Sequence, residues 1–527
     1  MFIISPLKVG TNLVLHGVVP KIKATRSYIA LLIVLLLSCT FFIQVFFASR
    51  NMSLTWDEPS YIASGYNYLM TYNYGFNQSH PPFMRSIEAL PLLFMDIKAS
   101  QPNYAELTTS KNPQAEYGFR FIYSNENDPV KISTWCRLPV MIIGTGLVIA
   151  IFFWGRELYG DVPALLATAL AAFCPNIIAQ SKVATEDIGC TTFVFVSVLL
   201  YWKFLHKPIK KYICLCGLVT GIAFLAKYTS LLLAPIYIVL AVVKYFEADK
   251  KYPIKTRLLQ TGIIMLFAMF VVSLAYNFNP LNYFAGLKYL YSDLESSPTW
   301  YFFGEISDKT RWYYYIVAFF IKTPVPTLLF ILAAVILSFQ DSRYRKHTFV
   351  LLIPPAIIVG VSCFDKGNFG VRRILPALPF LYLFAARVVI VDSKMIRYAS
   401  LLLVLWLLAE IIFIYPHHLS YFNIAVGGPS RGPYLLTGDD SDTGQDLPAL
   451  ATWQKNHPEI GTIKLVYNGT ADPTSYGVYA TRVSFQEIEN PFPGIYAISV
   501  TALVGTPWLR YATPIARAGY SIYIYKF

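Results

Sequence analysis

Residues 56–85 read WDEPSYIASGYNYLMTYNYGFNQSHPPFMR, and they follow closely on an apolar run, 27–49, long enough to cross a bilayer. The stretch therefore starts at a membrane surface. Asp57 and Glu58 stand at that edge, and His80-Pro81-Pro82 and Arg85 follow on the same connection. One loop thus supplies a carboxylate pair, a histidine that could carry a proton, and a cation. Acids at the lip of a membrane domain are costly to desolvate and serve function or water-filled cavities more often than packing. The structural alternative is an N-cap, since Asp57 before Glu58-Pro59 is a good helix start. Both readings can hold together.

Moving outward, the chain of 527 residues is 55% hydrophobic and 14% charged, where a soluble globular protein carries about 25% charged residues. Eleven apolar segments are expected to span: 27–49, 138–155, 162–180, 188–204, 212–227, 229–246, 258–276, 313–339, 347–363, 374–391 and 396–415. The net charge of +13 does not indicate a nucleic-acid partner, because most of the excess lies in short loops. With the N-terminal basic arm (1–26) in the cytoplasm, the cytoplasmic gaps hold Lys207, Lys210, Lys211, Lys250, Lys251, Arg343 and Arg345, among others. The short outer gaps hold only Lys182, Lys227, Lys366, Arg372 and Arg373, as the positive-inside rule demands. The first apolar run has no small-residue cleavage signature after it and reads as a retained anchor. The seven cysteines lie in or at the ends of apolar segments without a CxxC, so neither a metal site nor a disulfide framework is expected.

The domain plan is a membrane domain over 27–415, including a long outer loop at 50–137, and a small extracytoplasmic α/β domain over 416–527. Residues 61–70 and 83–93 carry apolar residues at helical spacing but are too short to span, so both are expected to lie along the interface. The C-terminal region has glycine-proline turns, a polar run at 439–442, a helix near 446–456 and strand-like runs at 462–467, 482–485, 495–503 and 521–525.

The outer side collects the charged candidates. Glu186 and Asp187 form a second acidic pair that could contact a substrate, hold a metal or cap a helix. Lys227, Lys322, Arg372 and Arg373 run against positive-inside statistics, and together they suggest an anionic, phosphate-bearing ligand. Snorkelling accounts for any one of them alone. A lone histidine beside a double proline is more commonly a structural hydrogen-bonder than an acid or base, so His80 enters only as a substrate-contact candidate.

The sequence resembles the polyprenyl-phosphate-sugar-dependent membrane glycosyltransferases of the GT-C fold, nearest to the protein O-mannosyltransferase group and its bacterial relatives. WDEPSYIASGYNYL is similar to that family's first-loop acidic motif. HPPFMR is similar to its HPPL-x-K stretch, with Arg85 in place of Lys. GLVTGIAFLAKYTSLLLAP, FFIKTPVPTLLF and RRILPALPF are similar to its later membrane motifs. YPHHLSYFNIAVGGPSRG and DDSDTGQDLPALATWQ resemble its junction into an outer domain, with Thr443 where relatives carry Trp. The resemblance implies transfer of a sugar, a mannose-like hexose, from a polyprenyl or dolichyl phosphate to a hydroxyl on a protein, lipid or glycan, with inversion at C1. Asp57 would be the base and Glu58 its partner. Arg85, Lys227, Arg372 and Arg373 would cradle the donor phosphate, and His80, Glu186, Asp187 and Lys322 would contact substrate. No metal is required by that scheme, although the acidic pairs could hold a divalent ion. The membrane would be a bacterial inner membrane or the endoplasmic reticulum, with the site on the outer face. The alternative is a polytopic transporter or lipid-linked sugar flippase. The absence of an internal repeat or of matched broken helices in the sequence weighs against it.

Overall fold

The computed structural model describes residues 15–74, 76–98, 112–247, 253–295, 300–307, 309, 311–340, 345–365, 367–390 and 393–527. The basic arm assigned to 1–26 therefore lies outside the described residues up to residue 14. All eleven apolar segments are helical. Seven are single helices long and apolar enough to cross a membrane: Ser27–Ser49, Pro129–Tyr159, Glu186–His206, Tyr228–Phe246, Ile254–Ala275, Val371–Ile390 and Lys394–Ile414. Lys210–Ala226 and Arg345–Ser362 are shorter. The remaining two are broken, Asp161–Ala172 with Pro175–Ser181 by 60° and Tyr314–Lys322 with Val325–Gln340 by 112°. This corrects the expectation of unbroken spans. Pro175 and Pro324 lack the amide hydrogen a continuing helix needs, and each stands at its break.

The membrane helices meet around aromatic side chains. The rings of Trp154, Phe195 and Phe380, from three different helices, lie 5.1–6.0 Å apart. Such edge-on contacts hold helices together where lipid gives no hydrophobic drive between them.

The helices Glu58–Thr71 and Pro82–Ala89 form as expected, and a third, Pro113–Tyr123, packs on the first of them. The first two touch backbone to backbone, for a Cβ on Gly65 would lie 2.1 Å from the Arg85 carbonyl oxygen. Only glycine fits there.

The C-terminal region is a five-stranded mixed sheet in the order Ala480–Arg482, Ile463–Val466, Ile495–Ser499, Ile522–Lys526, Ala516–Ala518, with the helix Leu447–Lys455 against it. Its junction is tied to the start of the first outer loop. Ser53 N and Trp56 N donate to the carbonyls of Gln445 and Thr443 at 3.0 and 2.9 Å, and Thr470 Oγ1 donates to Trp56 O. These bonds anchor the chain immediately before residue 57.

Candidate active site

Asp57 occupies the N-cap position of the Glu58–Thr71 helix, yet its side chain makes no capping bond. Its carboxylate instead accepts from Arg372 Nη1 at 3.1 Å. The guanidinium of Arg372 also reaches Asp439 Oδ2 at 2.9 Å and lies 3.9 Å from Asp187 Oδ2. Three carboxylates from three distant parts of the chain thus surround one arginine. Glu186 and Asp187 open the helix Glu186–His206, again without a side-chain cap from the preceding residue. Lys227 Nζ bonds Asp187 at 2.6 Å and lies 3.4 Å from Glu186, and His80 Nε2 donates to Glu186 at 2.8 Å. Burial lowers the His80 pKa against the pull of Glu186, so the ring is neutral at pH 7 and Nε2 carries the donated proton.

Asp439 was quoted in the sequence only as part of a polar turn. The close approach of two backbones delivers it. Asp440 accepts from Val371 N at 2.9 Å and from Tyr314 Oη at 2.7 Å, which pins the 438–442 turn against the start of the Val371 segment. Gly370 takes φ +67°, and a Cβ there would lie 3.0 Å from Asp440 Oδ1. With Asp440 turned inward, its neighbour faces Arg372. The Asp439 carboxyl is pushed up to about 6, chiefly by burial, with Asp57 adding to the rise and Arg372 opposing it. The sequence signal was a four-residue acidic and polar run on the same face as the other acids.

A cavity of about 240 Å³ holds these groups, with Trp56, Asp57, Tyr61, His80, Glu186, Lys227, Arg372 and Arg373 in its wall. Leu290 and Arg373 also belong to an apolar groove of about 170 Å³ that runs between Leu233, Ile236, Leu287, Ile358 and Val361. Arg373 pairs with Asp365 at 2.6 Å where groove and cavity meet.

Four candidates do not line this cavity, and one of them, Asp187, is buried behind Lys227, to which it is bonded. Glu58 is fully buried and held in a two-pronged pair by Arg137, at 2.7 Å on both oxygens, and it also accepts from the backbone amides of Thr55 and Ala184. Burial alone would raise its pKa, but the charge and hydrogen bonds of Arg137 hold it below the ordinary value. It is a fastening, not a partner of Asp57. Arg85 faces inward behind the cavity wall. Its guanidinium lies 4.2 Å from the centre of the Tyr61 ring and donates to Asn77 O and Ser79 Oγ, both at 2.9 Å. Lys322 is buried, with Nζ on the carbonyls of Leu419 and Asp440, where it steadies the junction that presents Asp439.

Paired acids and cations thus stand at the mouth of an apolar groove, on a bundle of apolar helices with short accessory helices and a C-terminal sheet, in an integral multi-pass membrane protein of the GT-C fold. Two solved structures share the fold over nearly the whole chain. ArnT from Cupriavidus metallidurans bound to undecaprenyl phosphate is 11% identical, covers 93% of this chain and 97% of its own, and superposes with a TM-score of 0.50. ArnT in the apo state is 12% identical over 95% and 98%, also at 0.50. Residues 131–276 match the family model for dolichyl-phosphate-mannose-protein mannosyltransferase. No curated protein sequence matches the chain.

Proposed function

We propose that the protein transfers a hexose, mannose-like by its family resemblance, from a polyprenyl-phosphate donor to a hydroxyl acceptor on a protein, lipid or glycan at the extracytoplasmic face of a bacterial inner membrane or the endoplasmic reticulum. The observation that carries this reading is the continuity of the apolar groove with the charged cavity through Leu290 and Arg373. A prenyl chain in the groove would bring its phosphate to Arg373, Arg372 and Lys227. Each of these cations is paired with a carboxylate. An arriving phosphate competes for Arg372 and so frees Asp57. The acceptor oxygen then attacks C1 as the C1–O bond to phosphate breaks. The electron pair leaves with the lipid phosphate, and the acceptor proton passes to Asp57. Charge growing on the leaving phosphate meets cations that neighbouring carboxylates already hold in place. A single base without a covalent nucleophile gives inversion. The protein cations do the neutralising that a metal would otherwise do, and a chelator is expected to leave transfer unchanged; loss of transfer restored by a divalent ion would assign the acidic groups to a metal instead.

Charge reversal at Lys227 or Arg373 is expected to weaken binding of a polyprenyl-phosphate sugar about ten- to hundredfold, the scale of one or two charge-assisted hydrogen bonds. Unchanged affinity in both variants would remove the phosphate cradle.

A pH effect follows from Asp439. Its pKa of about 6 lies above its ordinary value, so it takes up a proton as pH falls from 7 to 5 and ceases to compete for Arg372. For the same reason the group's contribution to stability falls as pH rises from its ordinary value of 3.8 to about 6 and is level above that. The donor is a phosphodiester and keeps its single charge throughout. Its binding should tighten roughly threefold from pH 7 to pH 5, the size of one charge acting through a wet cavity. Calorimetric titration would read this, and Asp439→Asn should abolish the dependence. An equal slope in both proteins would sink the assignment.

A further inference from the structure

A second, larger cavity of about 560 Å³ opens beside the charged one and differs from it in chemistry. Its walls come from the loop after the Glu58–Thr71 helix (Tyr72, Asn73, Tyr74) and from the turn between Ile254–Ala275 and Leu281–Glu295 (Asn277, Asn279, Asn282). Among the described residues no Asp, Glu, Lys or Arg lines it. It touches both parts of the proposed catalytic apparatus, for His80 is shared with the charged cavity and Tyr228 with the apolar groove. Two residues of its rim, Tyr72 and Asn277, hold φ at +56° and +53° without being glycine. Both lie just past a helix end, where a left-handed residue closes the last turn and so shapes the rim. Asn77, in the same wall, is buried and has no hydrogen-bond partner for its Nδ2.

From this wall we infer that the cavity is the acceptor subsite and that it takes a neutral saccharide, so that the acceptor hydroxyl belongs to a sugar residue of a glycan chain. This rests on the glycosyltransferase reading above. The chemistry is that of carbohydrate recognition. A carboxamide donates and accepts at once, and so do the neighbouring hydroxyls of a sugar ring. Tyrosine offers an apolar face to the C–H side of the ring and a hydroxyl to its rim. An uncharged wall gives a phosphorylated or strongly basic acceptor nothing to pair with. The shared His80 wall brings the bound sugar's hydroxyl next to the cavity that holds Asp57.

The test uses the full chain in lipid nanodiscs and reads binding by saturation-transfer NMR. The probes are neutral trisaccharides (mannotriose, cellotriose, maltotriose) and a neutral Ser/Thr hexapeptide, beside undecaprenyl phosphate in a separate titration. The variants are Asn279→Ala/Asn282→Ala and Asn282→Trp, both at exposed positions where the fold tolerates change. The expected result is a trisaccharide bound by wild type, weakened about tenfold in both variants, with undecaprenyl phosphate binding unaltered. The inference is overturned if no trisaccharide is bound at millimolar concentration by protein that binds undecaprenyl phosphate. It is equally overturned if the trisaccharide binds the variants as well as wild type, or if only the peptide binds and only the peptide is lost. Failure to bind undecaprenyl phosphate, with the trisaccharide still lost in the variants, would remove the donor assignment and leave the saccharide cavity standing.

Discussion

Asp57→Asn is expected to lower transfer about 10²- to 10⁴-fold, the contribution of a positioned general base, while leaving the affinity for a polyprenyl-phosphate sugar within a few fold of wild type. The substitution keeps the shape of the side chain and removes its capacity to take a proton. Because Asp57 makes no capping bond to its helix, the change should not loosen that helix. Arg372 keeps Asp439 at 2.9 Å and so stays in position. The expected signature is therefore a loss in kcat with an unchanged melting temperature. Turnover near the wild-type rate in this variant would remove Asp57 as the base. A fall in melting temperature that accounts for the lost activity would make it a structural residue instead. Asp57→Glu separates geometry from charge, since a base displaced by one methylene should recover part of the rate, whereas a purely electrostatic partner of Arg372 should recover nearly all of it.

Much of this arrangement could be read from the chain before any coordinates. Apolar runs gave the eleven helical segments, because the length and hydropathy of a run decide directly whether it can span. The two short helices after the first span followed from spacing. The site was legible where a residue type is expensive in its location, as with Asp57, Glu186, Asp187, Lys227 and Arg372. It failed where the outcome depends on a partner far along the chain. Asp57 and Glu58 are neighbours, but one step along a helix turns the side chain by about 100°. The first meets Arg372 in a cavity and the second meets Arg137 in the core. Arg85 sits in a motif that invites a phosphate, yet the helix begun by Pro82 turns it toward Tyr61. Asp439 depends on a glycine at 370 that permits two loops to approach, which no local pattern encodes. The 112° bend at Pro324 was hidden because both halves are equally apolar, and hydropathy does not register direction.

The largest effect on stability is expected at the Glu58–Arg137 pair. Arg137 donates to both oxygens of Glu58, to Ser49 O at 2.8 Å and to Ser53 O at 2.9 Å, and Glu58 accepts in turn from Ala184 N. One ion pair thus ties the end of the first spanning helix, the start of the outer loop, the Pro129–Tyr159 helix and the segment leading to Glu186. Both side chains are about 99% buried or more. Removing one partner strands a charge in a dry interior, which costs about 3–5 kcal/mol, whereas removing both leaves no charge behind. Glu58→Gln and Arg137→Gln should each lower the melting temperature sharply, and the double variant should be more stable than Arg137→Gln alone. Within the folded fraction at low temperature, Glu58→Gln should turn over at a rate close to wild type. Thermal melts in detergent paired with transfer assays distinguish the two roles. A Glu58→Gln protein that melts like wild type but transfers no sugar would return Glu58 to the chemistry. A protein that melts early yet works while folded would show that the acidic pair at the membrane edge divides its labour, with Asp57 at the reaction and Glu58 holding the loop on which Asp57 stands.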